Sequence, residues 1–542
     1  MRKYSSSSGP HAPTVFFALP ELVYPEQLNA VRTLLDAIDA NSWGERTALV
    51  FRGIHISYAE LRREVHRYAA VLRRLDIHEG DSVLIRIDDR PELIFSILAV
   101  QAIGAVAVPT YPQLRTADLV YRADDAQTKV ALVGDNLLTE ADPLPERSQC
   151  LKRVIVVPGD APGRHQSLSD LLAAGEVPGE NGEPFEYANT HRDELALILY
   201  TSGSTGKSKG TCHNHADLLA VCDTYCRYCV GLRPDDVIGG PVSVSFALGY
   251  GMYALFPFRF GASALMEPDK APDVLLPLLR EHRVTVLAAV PTYYNVLARA
   301  LQDSGEKLPD LRMSLVGGEP LLAEVEQRWE AATNLPLEQF LGTTELLHIF
   351  LSTRHGIDKP KRGAIGVAVP GYEVSVRDPE TFEPVADGTH GMLCVRGPTG
   401  TCYLNRPEAQ AEAVRDGWNL FQDTVWRDAE GYIHYVARKD DVINSGGYTI
   451  SPVDVESVLM RHPKVLECGC VAAPDPDGNR SSIVKAFVAL REGEPDAAMR
   501  KALQDYFKSE APPYMYPREI VFMKELPKTI NGKILRSELR KL

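Results

Sequence analysis

Leu195-Ala-Leu-Ile-Leu-Tyr-Thr-Ser-Gly-Ser-Thr-Gly-Lys-Ser-Lys-Gly210 joins an apolar run directly to a Gly/Ser/Thr cluster. Leu195 to Tyr200 reads as a buried strand. The cluster holds three glycines, which let a backbone approach an anion closely and adopt positive φ. Successive N–H groups in such a loop form an anion-binding concavity. Ser202, Ser204 and Thr205 add hydroxyl donors, and Lys207 and Lys209 add positive charge. A loop that follows a buried strand is the usual ligand loop of a parallel sheet. Thr201, Ser202, Gly203, Ser204, Thr205, Gly206 and Lys207 are therefore candidates to hold phosphate. The loop is not a Walker A loop, because Thr201 stands where that pattern needs Gly. A flexible linker rarely follows an apolar strand so closely or carries Lys within it.

Outward from this loop, helix and strand patterns alternate. Tyr58 to Leu75 is amphipathic, with Leu61, Val65, Tyr68, Ala69 and Leu72 at helical spacing. Asp81 to Ile87, Ala105 to Thr110 and Lys129 to Val133 read as strands, and Glu92 to Gly104 as a helix. This alternation predicts a parallel sheet covered on both faces. Val284 to Val290 and Met313 to Val316 read as further buried strands. Residues 1–20 read as a flexible lead-in, and Pro158 to Thr190 as a surface loop or a break between subdomains. After about Gly363 short strands dominate, at Tyr372 to Val376, Gly391 to Val395 and Tyr432 to Tyr435. Ala437 to Asp441 reads as a linker to a separate C-terminal unit of about 100 residues. The predicted fold is α/β: a large N-terminal domain with βαβ-type sheets and a small β-rich subdomain, then a small mobile α+β domain.

The chain has 542 residues, enough for two or three domains with a large core. Its net charge of -14 counts against a nucleic-acid binder. Nine scattered Cys predict reduced thiols and a cytoplasmic protein. No export signal and no run of 18 apolar residues is present, so no membrane span is expected. Cys222, Cys226 and Cys229 have a spacing used for iron–sulfur clusters. They fall on a predicted helix, Ala216 to Val230, where i, i+4 and i+7 simply form one buried face.

At the phosphate loop the sequence resembles the adenylate-forming superfamily of acyl-CoA synthetases, peptide-synthetase adenylation domains and luciferases. The resemblance covers nearly the whole chain through ordered motifs. Val316-Gly-Gly-Glu-Pro320 follows a strand, and the resemblance implies that Gly318, Glu319 and Pro320 line an adenine pocket with Leu341. Leu341 stands where many members carry a stacking aromatic. In Leu341-Gly-Thr-Thr-Glu345 the resemblance gives Glu345 to Mg²⁺ and Thr344 to phosphate, beside Gly342 and Thr343. Asp423 and Arg438 match the ribose contacts, although Phe421-Gln422 departs from the usual residues before that carboxylate.

The C-terminal unit ends in Leu526-Pro-Lys-Thr-Ile-Asn-Gly-Lys-Ile-Leu-Arg536. Asn531-Gly532 is a turn signal that would project Lys533 from a hairpin tip or loop. The resemblance makes Lys533 the catalytic cation that bridges the substrate carboxylate and the α-phosphate, two anions that otherwise repel. It implies a hinge at Asp440 and a split into residues 1–437 and 438–542. It also implies that Ser445, Gly446, Gly447 and Tyr448 line a pantetheine tunnel after domain rotation.

For the acid, Pro241 to Gly251 and Leu346 to Ser352 carry apolar and aromatic side chains that suit a flat ring. The run Gly342 to Ser352 resembles the benzoate and 2-aminobenzoate CoA ligases, and Leu19 to Val31 and Val106 to Arg115 resemble the aminobenzoate branch. Phe246 matches a gating aromatic. Ala247, Tyr250, Gly317 and His348 are candidates for the pocket wall, His348 being either a wall or a satisfied structural histidine. The implied activity is an ATP- and Mg²⁺-dependent ligase that adenylates an aromatic carboxylic acid. The acyl group then passes to coenzyme A or, in a rival reading, to a separate carrier protein.

Overall fold

The computed structural model describes residues 11–174, 185–201, 208–438, 441–445, 448–476, 482–493, 495–528 and 534–542. Two large sheets dominate. The first has seven strands in the order Gln166–Ser167, Arg153–Val157, Val130–Gly134, Ser82–Arg86, Val106–Pro109, Leu195–Thr201, Lys209–Asn214. All neighbours are parallel except the last pair, which flanks the phosphate loop with Thr201 opposite Lys209. The second sheet has nine strands. Its parallel centre runs Glu338–Gly342, Met313–Val316, Val286–Ala289, Val237–Gly239, Ser263–Met266, Thr47–Phe51.

Strand residues alternate between two faces, and the cores follow that alternation. Val83, Ile85, Val286 and Ala288 enter one shared core with the helices Ala30–Ala40, Tyr58–Arg74 and Pro91–Ala102. Leu84, Ala131 and Ile198 face an outer core with helix Thr116–Asp125. Leu287, Ala289 and Val316 face another, with Pro291–Ser304 and Ala323–Thr333. The two sheets thus share a buried helical layer, and helices cover their outer faces as well. The helix Tyr58–Arg74 starts where local chemistry dictates. Ser57 and Glu60 form a reciprocal capping box, which satisfies two otherwise orphaned N–H groups.

The small antiparallel sheet contains the expected strands at Glu373–Arg377, Gly391–Arg396 and Ile433–Arg438. Its longest strand, Trp418–Arg427, was hidden in the sequence because Gln422-Asp423-Thr424 interrupts the apolar alternation. A register irregularity at Thr424/Val425 accommodates that break. Beyond it, the hairpin Ile443–Ser445/Tyr448–Ile450, the strands Val465–Ala473, Ile483–Leu490 and Glu519–Phe522, and the helices Pro452–Met460 and Ala497–Glu510 build the C-terminal unit. Its core is pinned by Arg536, which donates to both oxygens of buried Glu456 at 2.7 Å.

Three sequence expectations need correction. The expected flexible lead-in lies outside the described residues over 1–10, and from residue 11 it is docked rather than free. Thr14 N donates to Gly417 O (2.8 Å), Phe16 N donates to Gly397 O (3.2 Å), and Val15 bridges Gly397. Glycines at 400 and 417 leave room for Pro13 and Thr14, since an added Cβ would lie 2.5 and 1.9 Å from them. The stretch Pro158 to Thr190 holds a strand, Gln166–Ser167, and a helix, Leu168–Ala173, whose first N–H groups Ser167 caps. Finally, Ala437 and Arg438 are strand rather than linker, because they pair with Thr424 and Asp423.

Cys222, Cys226 and Cys229 are all buried on a helix that widens into π turns over Cys222–Val230, and Cys222 Sγ donates to Leu218 O. No helix among the described residues is long and apolar enough to cross a membrane.

The same helix carries Asp223, fully buried, which accepts from Arg259 (3.0 and 2.9 Å), Arg227 (3.4 Å) and the Tyr24 hydroxyl (2.9 Å). Asp223→Ala leaves these cations without their anion and is expected to destabilise the fold by about 3–5 kcal/mol. The urea midpoint of the purified variant measures that loss.

Candidate active site

The loops that leave the parallel strands at their C-terminal ends carry the site. The phosphate-loop residues Ser202, Gly203, Ser204, Thr205, Gly206 and Lys207 lie outside the described residues, as do Asp440, Gly446, Gly447 and Lys533. Their stems are placed. Thr201 and Lys209 pair across the phosphate loop. Ser445 and Tyr448 pair across positions 446 and 447. Lys528 bridges Ile534, and Leu535 N donates to Pro527 O at 2.8 Å, so the segment bearing position 533 leaves and re-enters a two-stranded stem.

Lys209 lies 4.8 Å from the centroid of the Tyr403 ring, and the Tyr403 hydroxyl donates to Glu345 Oε1 at 2.9 Å. Backbone pairing fixes this meeting: Thr211 bridges Tyr403, Cys212 N donates to Cys402 O (2.8 Å) and Leu404 N donates to Gly210 O (2.8 Å). Burial and the Glu345 charge push the Tyr403 phenol well above its ordinary value, so it remains a donor. Tyr403 escaped the sequence reading because Thr401-Cys-Tyr-Leu-Asn405 has no periodicity that marks it.

Glu345 sits in a single 3₁₀ turn, Thr344–Leu346, capped by the Thr343 hydroxyl. Leu347 follows with φ +66, a left-handed conformation costly for a branched residue. That turn brings Thr343 N to His348 O at 3.2 Å and requires Gly342, whose added Cβ would lie 2.6 Å from the same oxygen. Leu341, half-buried, packs on the shared core. Gly317 is likewise demanded by contact, as a Cβ there would meet the Phe340 ring at 2.3 Å. Gly318 follows at φ +82. The Glu319 carboxylate accepts from the Thr292 hydroxyl at 2.8 Å, beside Pro320.

Asp423 and Arg438 face each other across adjacent strands, with Asp423 Oδ1 4.0 Å from Arg438 Nε. Burial raises the Asp423 carboxyl above its usual range, the Arg438 charge opposes this, and the nearby Glu345 charge adds to it. The candidate ribose pair and Glu345 therefore share one electrostatic neighbourhood.

The candidate acyl wall is aromatic. Phe246 stacks on Tyr111, with centroids 5.0 Å apart and planes at 23°. Ala247 opens the buried helix Ala247–Tyr250. Tyr250 is fully buried within the shared core, and its hydroxyl donates to Gln101 Oε1 at 2.8 Å, so that hydroxyl is already engaged. His348 is wedged between Phe256 (4.5 Å) and Tyr225 (5.7 Å). Its Nε2 would lie 2.1 Å from a Cβ at Gly251, the start of the π turns Gly251–Leu255.

The fold and these motifs define a class. The AMP-binding enzyme family matches residues 37–404, the AMP-binding enzyme C-terminal domain matches residues 454–533, and the chain belongs to that family. Among its relatives, a benzoate–CoA ligase of Thauera aromatica is 33% identical over 96% of this chain and 97% of the relative. A 4-hydroxybenzoate–CoA/benzoate–CoA ligase of Rhodopseudomonas palustris is 32% identical over 95% of this chain and 94% of the relative. The crystal structure of the anthranilate CoA ligase AuaEII with anthranoyl-AMP superposes with a TM-score of 0.88 at 28% identity, covering 96% of this chain and 98% of that one.

Two predictions follow from this packing. Gly251→Ala forces the His348 ring or the π turn to move and is expected to cost about 1–3 kcal/mol. His348→Ala in the same chain should restore part of it, read in the urea midpoint. The second concerns acid. Burial holds His213, His215 and His348 each down to about 3, below the ordinary 6.5. Burial lifts Asp217 to about 8, which opposes them. Below the ordinary imidazole value the unfolded chain binds more protons at the three histidines, and the folded chain binds one more at Asp217. Taken against Asp217, the three histidines should lower stability from about pH 6.5 downward. Urea titrations between pH 4 and 7 read that slope, and His213→Leu should flatten it.

Proposed function

We propose that this protein is an aryl-CoA ligase. It activates a benzoate-type acid, bearing a ring amino or hydroxyl group or none, as an acyl-adenylate and transfers the acyl group to coenzyme A. The observation that carries this reading is the convergence of the phosphate-loop stem, Tyr403, Glu345 and the Asp423–Arg438 pair beside an aromatic wall. The aryl-CoA ligase relatives support the acid class and favour coenzyme A over a carrier protein as acceptor.

In the first half-reaction a substrate carboxylate oxygen attacks the α-phosphorus of ATP, and the bond to pyrophosphate breaks. Two anions must meet, so catalysis is mainly positioning and charge neutralisation. Lys533, on the segment held by the Lys528/Ile534 stem, is proposed to supply the bridging cation. Thr344 and the loop Thr201 to Lys207 would hold phosphate, and Asp423 with Arg438 the ribose hydroxyls. Glu345 fits a Mg²⁺ ligand. Tyr403 engages only its Oε1, and among the described residues no group of three or more acidic, His or Cys side chains could hold a metal alone. Mg²⁺ suits such a site because it takes one or two carboxylates and completes its shell with phosphate and water. When bound, it would neutralise charge on the phosphates.

In the second half-reaction the thiol sulfur attacks the acyl carbon and AMP leaves. We assign residues 1–437 to the body and 438–542 to a domain that turns about Asp440. The turn would bring Ser445, Gly446, Gly447 and Tyr448 to the pantetheine arm.

Pyrophosphate release measured over a panel of aryl acids, with and without coenzyme A, tests this reading. Benzoate or an amino- or hydroxybenzoate is expected to give pyrophosphate alone and an acyl-CoA product with coenzyme A. Lys533→Ala should slow adenylate formation by about 100- to 1,000-fold. A protein that releases no pyrophosphate with any carboxylic acid would sink the proposal. Product only with a pantetheinylated carrier would replace coenzyme A as the acceptor.

A further inference from the structure

Phe246, Tyr111, Arg122 and Tyr200 form one column of stacked groups. Phe246 lies on Tyr111. The Arg122 guanidinium carbon stands 5.2 Å from the Tyr111 centroid and 5.1 Å from the Tyr200 centroid, a cation between two π faces. Arg122 is 4% exposed, and its Nε is buried without a hydrogen-bond partner. A cation removed from water is costly unless something else stabilises it. Here the Tyr111 hydroxyl and the negative faces of two rings do so.

The ends of the column are unlike. Phe246 belongs to the candidate acyl wall. Tyr200 immediately precedes Thr201, where the phosphate loop begins, and its hydroxyl donates to Asp125 Oδ2 at 2.9 Å. Asp125 shares the helix Thr116–Asp125 with Arg122 and with Tyr121, whose hydroxyl donates to Ser208 O at 2.7 Å just beyond the loop. One helix therefore holds both feet of the phosphate loop and, through Arg122, grips the ring behind Phe246. The Tyr111 backbone is fixed in turn, its carbonyl accepting from buried Arg86 at 3.3 Å.

We propose that Arg122 is a positioning residue that couples the acyl subsite to the phosphate loop, so that occupation of one tightens the other. This rests on the function proposed above. A ring seated against Phe246 limits where Tyr111 can lie, and Arg122 passes that restraint to Tyr200 and the helix that frames the loop. Coupling of this kind is reciprocal: the acid must tighten the nucleotide by the factor by which the nucleotide tightens the acid.

The test is calorimetric titration of the full chain with Mg²⁺ and α,β-methylene-ATP, in the absence and presence of saturating benzoate or 2-aminobenzoate. The wild type is expected to bind the nucleotide about five-fold or more tightly with acid present. Arg122→Met and Tyr111→Leu should lower that factor below about two and leave nucleotide affinity without acid nearly unchanged, whereas Tyr111→Phe, which keeps the stack, should retain it. A merely structural residue would weaken both titrations alike. Should Arg122→Met fail to fold, Tyr111→Leu decides. An unchanged factor in either folded variant overturns the proposal, and so does a wild type that binds both probes independently. A wild type that binds neither probe overturns the function on which the proposal stands.

Discussion

The pairing of Gly210, Thr211 and Cys212 with Cys402, Tyr403 and Leu404 is the contact on which the rest of the site depends. It adds a segment from beside the small sheet to the open edge of the seven-stranded sheet. It also points Tyr403 at Glu345, which hangs from the end of the nine-stranded sheet. Three bodies of secondary structure thus meet through a few backbone hydrogen bonds and one phenol. One buried core that all three share holds them in place, so the meeting point inherits its precision. A preorganised site of this kind avoids rearranging dipoles while charge develops on a reacting phosphate.

Much of the fold was legible because it is periodic. The buried parallel strands appear as short apolar runs, and Met313–Val316 falls where the sequence places it. The helix Tyr58–Arg74 ends one residue from its expected limit, because its capping box and apolar stripe are both local signals. The Leu341–Glu345 motif was equally visible, and the stems of the glycine-rich loop, Thr201 and Lys209, pair where the strand before it ends.

What the sequence concealed is contact between distant segments. Tyr403 and Glu345 are 58 residues apart, and nothing near either names the other. Tyr250 looked like a wall residue, yet its hydroxyl is engaged by Gln101, 149 residues away. The strand Trp418–Arg427 was hidden by polar residues at its centre, and those residues include the carboxylate that faces Arg438. Local patterning and site chemistry conflict there, as they do where function overrides regular packing. Leu347 is a second such place, with a left-handed backbone beside Glu345 and His348.

The docked segment Pro13 to Phe16 has a practical side. It lies in a trough floored by Gly400 and Gly417 and borrows backbone partners from Gly397 and Gly417. Shortening the chain past Pro13 would uncover those carbonyls and leave an unfilled groove beside the small sheet. Trimming the amino end to aid expression or crystallisation should leave Pro13 to Phe16 in place.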